Sequence, residues 1–173
     1  KNMEGLIFGG HYMAALRTGR VPSMIQTFDN AAMESGKTSL APKIAEIKIS
    51  VSRDRTAARE FVKESAGTRV LNMFRQGYSR EDIQNLGVKL EDVEKLDEAD
   101  KAGVTPEGFD ALVTDDMDNA IFIAGEPDEC LERMADIHNI AQSQGFDQLM
   151  FSELGPDVDE AVELLVNDVM PAM

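Results

Sequence analysis

Apolar and polar positions along the chain change period several times, and each change marks an element. Gly5-Leu6-Ile7-Phe8-Gly9-Gly10 is a short apolar run closed by two glycines, which predicts a buried strand ending in a tight turn. After Pro22, the residues Met24, Ile25, Phe28, Ala31 and Ala32 recur at helical spacing and Gly36 supplies a stop. Ile47, Ile49 and Val51 then alternate with Lys48, Ser50 and Ser52, a period of two with β-branched residues on one side, and predict a second strand.

From Asp54 to Ala120 no strand pattern survives. The spacing predicts short helical pieces separated by Gly67, Gly77, Gly87 and Gly103. Ser79-Arg80-Glu81-Asp82 and Thr105-Pro106-Glu107 carry helix-start chemistry, and Leu90, Val93 and Leu96 form a sparse stripe that predicts a surface helix. A longer helix starts at Gly125-Glu126-Pro127-Asp128 and carries Cys130, Leu131, Met134, Ile137, Ile140 and Ala141 up to Gly145. Gln148 to Ser152 reads as a third strand, and Gly155-Pro156-Asp157 opens a last helix with Val158, Ala161, Leu164, Leu165 and Val169, stopped by Pro171. Strands alternating with helices predict an α/β fold with a parallel sheet. Three parallel strands leave two open edges, so the pattern also predicts that part of the fold lies outside these residues.

Composition narrows the function classes. The 173 residues carry 32 acidic and 17 basic side chains, a net charge of -15, which would repel a phosphate backbone and argues against a nucleic-acid partner. The charge is uneven: 13 basic and 7 acidic residues precede Glu81, whereas 4 basic and 25 acidic follow from it. The acidic excess therefore belongs to the helical segment and the last helices, as a solvated face. No apolar run has the length of a membrane span, no signal-peptide core is evident, and the single Cys130 fits a reducing compartment; the expectation is a cytoplasmic protein.

Candidate chemistry lies where parallel α/β folds place it, just after the strands. Gly9 and Gly10 permit close backbone approach, and His11 is able to donate a proton or bond to a cofactor; Tyr12 follows. Ser152 and Glu153 stand at the equivalent position after the third strand, and Ser52 and Arg53 after the second. Each group also has a plain reading: a structural turn for the glycines, helix capping for Ser152 and Glu153, a solvated side chain for Arg53. His138 sits on a helix as a border histidine. Asp115, Asp116 and Asp118 start like a calcium loop, but Ile121 stands where the turn glycine is required, so no metal site is expected.

Several of these stretches resemble one family. Val113-Thr114-Asp115-Asp116-Met117, Ile123-Ala124-Gly125-Glu126-Pro127-Asp128-Glu129-Cys130-Leu131-Glu132-Arg133, Gly155-Pro156-Asp157 and Val169-Met170-Pro171 resemble the carboxy-terminal part of the luciferase-like flavin- or deazaflavin-dependent oxidoreductases, which include bacterial luciferase and methylenetetrahydromethanopterin reductase. Glu4 to Gly10 resembles that family's sixth strand, and Ile47 to Arg59 its seventh with a Ser-x-Asp-x-x-x-Ala-Arg continuation. The resemblance implies the carboxy-terminal portion of a (β/α)8 TIM barrel: strands six to eight in a single partial barrel domain over residues 1–173, with a helical insertion over 54–120.

It further implies hydride transfer between an organic substrate and coenzyme F-420 (F420, 8-hydroxy-5-deazaflavin) or FMN, an amino-terminal half of the barrel or a homo-oligomer partner, and a fragment that is inactive alone. Gly9, Gly10, His11, Ser152 and Glu153 would then face the cofactor, and Tyr12, Ser52 and Arg53 the substrate, with no catalytic residue assigned. The tryptophans common around the deazaflavin ring are absent. A noncatalytic half-barrel that associates with another chain stands as the alternative.

Overall fold

The computed structural model describes residues 6–36 and 42–172. Gly5, the first residue of the predicted first strand, lies outside them. Four strands, β1 (Leu6–Phe8), β2 (Lys43–Val51), β3 (Ile123–Gly125) and β4 (Gln148–Ser152), all run parallel. The long strand β2 organizes the sheet. Its even-numbered backbone groups serve β1 and β3, as in Leu6 N–H to Pro42 C=O and Ser52 N–H to Gly125 C=O; its odd-numbered groups serve the chain on the β4 side, as in Asp147 N–H to Lys43 C=O. β1 therefore lies beside the start of β2 (Leu6 opposite Lys43), β3 beside its end on the same flank (Val51 opposite Gly125), and β4 on the other flank (Lys48 opposite Ser152).

Alternation along β2 sorts its side chains onto two faces. Ala45, Ile47, Ile49 and Val51 are fully buried in a core with Met13 and Leu16 of α1 (Tyr12–Arg17), Val21 at the start of α2 (Val21–Glu34), Met134 and Ile137 of α7 (Pro127–Ser143), and Leu164 of α8 (Val158–Leu164). The opposite face carries Glu46, Lys48 and Ser50. α8 runs on through a π turn, Leu165–Val169, into a 3-10 turn, Met170–Ala172, at Pro171.

Between β2 and β3 the chain forms α3 (Arg55–Arg75), α4 (Arg80–Asn85), α5 (Leu90–Lys101), a 3-10 turn (Pro106–Gly108) and α6 (Asp115–Ile121). The starts are set by local caps: the Asp54 carboxylate accepts from the N–H groups of Thr56 and Ala57, and Ser79 and Asp82 form a reciprocal capping box. These helices close around a second core of Val62, Val70, Ile83, Val93, Leu96, Phe109 and Met117.

Three expectations are corrected here. Gly67 does not break a helix; it lies inside the 21-residue α3, where a Cβ would fall 2.6 Å from Val113 Cγ2, so glycine is needed for close packing. Val93 and Leu96 are not on the surface but fully buried, because α5 turns its few apolar residues toward α3. Ile123–Gly125 is a fourth strand. Its three residues are too few to show a period, and their backbone finds partners only beside the end of β2.

Candidate functional site

The carboxy ends of β1 and β4 meet the middle of β2 at a cluster centred on Glu46. One oxygen of its carboxylate accepts from Gly10 N–H at 3.0 Å, and the other accepts from Ser152 Oγ at 2.8 Å and Lys48 Nζ at 3.3 Å. The carboxylate fills the space a Cβ on Gly9 would take, and Gly10 has φ 68°, so both glycines are required by the turn that wraps this carboxylate. Burial works to raise the pKa of Glu46, but hydrogen bonds from Ser152 and Gly10 and the Lys48 charge outweigh it and hold the carboxyl below its usual range.

Lys48 is 4% exposed and links the first carboxylate to a second. Its Nζ lies 2.6 Å from Glu153 Oε1, which also receives Arg69 at 2.7 Å; the other oxygen of Glu153 accepts from Ser65 Oγ at 3.1 Å. Glu153 has φ 58°, a left-handed backbone that costs a side-chain-bearing residue on the order of 1 kcal/mol. The ion pairs to Lys48 and Arg69 hold it there. Two carboxylates and two cations leave the cluster with no net charge, in a chain that is strongly acidic overall.

His11 stands at the rim, just before α1, with its ring edge-on to Tyr78 at 6.1 Å. Burial lowers its pKa, and the charges of Arg69 and Lys48 lower it further, so the imidazole is neutral at pH 7. It lines a cavity of about 650 Å³ that runs along β1, on the flank left unpaired among the described residues, and is walled by Gly9, Tyr78, Phe28, Met24 and Ile7 among others.

The predicted positions divide into three groups. Gly9, Gly10, Ser152 and Glu153 come together around Glu46 and Lys48, with His11 beside them. Tyr12 does not reach the Glu46 cluster, although it lines the same cavity as His11: it is 2% exposed, packs edge-on against Phe146 in the sheet core, and burial of its hydroxyl pushes its pKa up. α1 begins at Tyr12, and its first turn rotates this side chain to the face opposite the cluster. Ser52 and Arg53 form a separate group with α8. Ser52 Oγ donates to Glu160 at 2.8 Å, and the exposed Arg53 pairs with Glu160 and Glu163 at 3.1 Å each.

Glu46, Lys48, Ser65 and Arg69 are the residues that sequence reasoning missed. A signal existed for the first two, since Glu46-x-Lys48-x-Ser50 puts charge on one face of a strand whose other face is apolar from Ala45 to Val51. Ser65 and Arg69 share a face of α3 at i and i+4, a spacing that does not reveal what the face meets.

No protein-family model matches this chain, and no curated protein sequence matches it. Among the described residues no helix is long and apolar enough to cross a membrane. Among the solved structures that match, the coenzyme F420 dependent tetrahydromethanopterin reductase from Methanopyrus kandleri superposes with a TM-score of 0.68 over 98% of this chain at 25% identity. The match spans 45% of that reductase, so this parallel α/β chain has the fold of less than half of an F420-dependent reductase and is similar to the type of enzyme that its motifs resemble.

Proposed function

We propose that this chain is the carboxy-terminal part of a luciferase-like oxidoreductase that transfers hydride between F420 and an organic substrate, with β1, β2 and β4 as the sixth, seventh and eighth strands of a (β/α)8 barrel and residues 54–120 as an insertion. The observation that carries the reading is the convergence of Gly9, Gly10, His11, Ser152 and Glu153 at one end of adjacent parallel strands. That end is where barrels of this kind build their sites. Similarity to an F420-dependent reductase favours F420 over FMN.

The residues fit such a cofactor in two respects. The cavity beside His11 and Tyr78 has the volume of a small-ligand pocket and largely apolar walls, suited to a flat heterocycle. The charge-balanced cluster next to it presents no net repulsion to an anionic cofactor. His11, Tyr78 and the Gly9 backbone would hold the ring, which when bound supplies the hydride-accepting or hydride-donating carbon. The chain's own work is to orient that ring, to exclude water along the apolar wall and to offer a neutral imidazole as hydrogen-bond partner. Glu46 and Glu153 fix Lys48 and Arg69, and burial, with these two cations adding to it, favours the neutral form of His11.

A specific observation favours the alternative of a noncatalytic half-barrel: Glu46, Lys48 and Glu153 satisfy one another without any ligand. Fluorescence titration of the chain with F420 and with FMN separates the two. The oxidoreductase reading expects saturable F420 binding that weakens at least fivefold in His11→Ala, with FMN bound less well. Absence of saturable binding, or binding indifferent to His11→Ala, would sink it.

A further inference from the structure

Arg20 lies in the turn between α1 and α2 and lines the cavity beside His11. Among the described residues it is the one charged side chain on that wall, where Ile7, Val21, Met24 and Phe28 supply apolar surface and His11 is neutral. Its guanidinium lies over the Tyr78 ring, 4.0 Å from the centroid, and the same ring meets His11 edge-on at 6.1 Å. Arg20, Tyr78 and His11 therefore form one continuous strip that runs from the carboxy end of β1 to the start of α2.

The arginine is held in place without a ligand. Its Nη2 donates to Gly77 C=O at 2.9 Å and to Asp82 Oδ2 at 2.6 Å. The same Asp82 oxygen accepts from Ser79 N–H at 2.9 Å, and Asp82 N–H donates to Ser79 Oγ at 3.0 Å, so the capping box of α4 fixes the carboxylate that fixes the arginine. Pinning this turn uses Nη2 alone. The donors on Nη1 and Nε have no partner among the described residues, and the side chain is 36% exposed, so they stand open instead of buried. A planar cation fixed on an aromatic face, with free donors beside an apolar cavity, suits an oxyanion joined to an apolar body.

We infer that Arg20 is a specificity-determining residue of this cavity, which takes a flat organic ligand bearing one oxyanion group, a carboxylate, sulfonate or phosphate. The apolar body lies along Ile7, Met24 and Phe28, and the oxyanion meets the free donors of Arg20. The inference rests on the reading of this cavity as the place of the ring and adds the charge that its ligand carries.

The test uses the full chain and two fluorescent probes that differ by one group, anilinonaphthalenesulfonate and its uncharged parent phenylnaphthylamine. The chain should bind the sulfonate about tenfold more tightly than the amine, the worth of a charge-assisted hydrogen bond. Arg20→Met should abolish that preference by weakening the sulfonate alone, with unchanged far-UV circular dichroism. Should the variant fail to fold, salt answers the question on the unaltered chain: the preference should shrink as sodium chloride is added, because the contact is partly exposed. Equal binding of the two probes, no binding of the sulfonate, a preference that survives Arg20→Met, or one indifferent to salt would each overturn the inference. Titration of Arg20→Met with F420 then identifies the source of the oxyanion: weakened binding assigns it to the cofactor, unchanged binding to the organic substrate. Saturable F420 binding by a chain that holds both probes equally would leave the oxidoreductase reading standing while this inference falls; a sulfonate preference lost in Arg20→Met, without any F420 binding, would do the reverse.

Discussion

The sheet region and the helical segment over residues 55–121 reach the same degree of burial by different means. In the sheet region one strand supplies four fully buried residues, Ala45, Ile47, Ile49 and Val51, at strict alternation, and helices α7 and α8 cover them with i, i+3, i+4 apolar faces. In the helical segment the inward residues are few and scattered. α5 contributes Val93 and Leu96 from twelve residues, and Gly67 lets α3 approach Phe109 and Val113 closely. Its acidic side chains are also partly paired: Arg75 reaches Asp97 at 2.6 Å and Asp100 at 2.8 Å, and Lys101 reaches Asp97 at 2.6 Å. The cationic partners of these pairs stand partly or largely in solvent, where screening keeps ion pairs weak, so the second core and not its charge holds the segment. A sparse apolar pattern is thus compatible with a real core when one glycine permits close helix contact.

The comparison breaks most directly at Phe109, which is 1% exposed. Phe109→Ala should cost about 4 kcal/mol in urea unfolding, as much as a truncation in the sheet core. A loss below about 1 kcal/mol would mean the second core is loose. Next comes Asp118, 1% exposed with neither oxygen hydrogen-bonded. Burial, with Asp115 adding to it and Lys63 and Arg59 opposing, raises its pKa to about 7. The folded state therefore holds a proton that the unfolded chain releases near pH 4, and stability is lost as pH rises toward and through 7. Between pH 5 and 8 the loss should be about 3 kcal/mol, and Asp118→Asn should flatten the profile. A profile unchanged by the substitution would contradict the assignment.

On the sheet side, Lys48→Met leaves two carboxylates without their buried cation and should cost about 2 kcal/mol. It should also raise the titration of His11, followed by NMR with His138 as the second imidazole signal. The smallest effect separates strain from charge at Glu153. Both Glu153→Gly and Glu153→Ala lose the ion pairs, but only glycine accepts φ 58° freely, so the glycine variant should be more stable than the alanine variant by about 1 kcal/mol. Equal stabilities would show that the left-handed backbone relaxes without cost.

Much of the sheet was legible because its strands carry a period. Ile47, Ile49 and Val51 could be read at once, whereas the three residues Ile123–Gly125 have no room for a period and became a strand only through a neighbour. The caps at Ser79 and Asp157 were legible because capping is local. Gly67 was misread because a glycine that ends a helix and one that lets two helices touch look alike in one dimension. At the site, positions just after strands pointed to Gly9, Gly10, His11, Ser152 and Glu153. The hub that joins them, Glu46 with Lys48, was written in the polar face of β2 but masked by attention to its apolar face. Tyr12 parts from the Glu46 cluster for a rotational reason: one step into α1 turns its side chain toward the sheet core, where it also borders the cavity beside His11.

The central claim is that the strand ends around Glu46 and Lys48 form a cofactor-facing site. Backbone amide NMR of the chain titrated with F420 tests it most directly, since it detects weak contact residue by residue. The account predicts coordinated shifts at Gly9, Gly10, His11, Ser152 and Glu153, reduced in Lys48→Met. Shifts confined to Ser52, Arg53 and α8, or none at the strand ends at saturating F420, would contradict it.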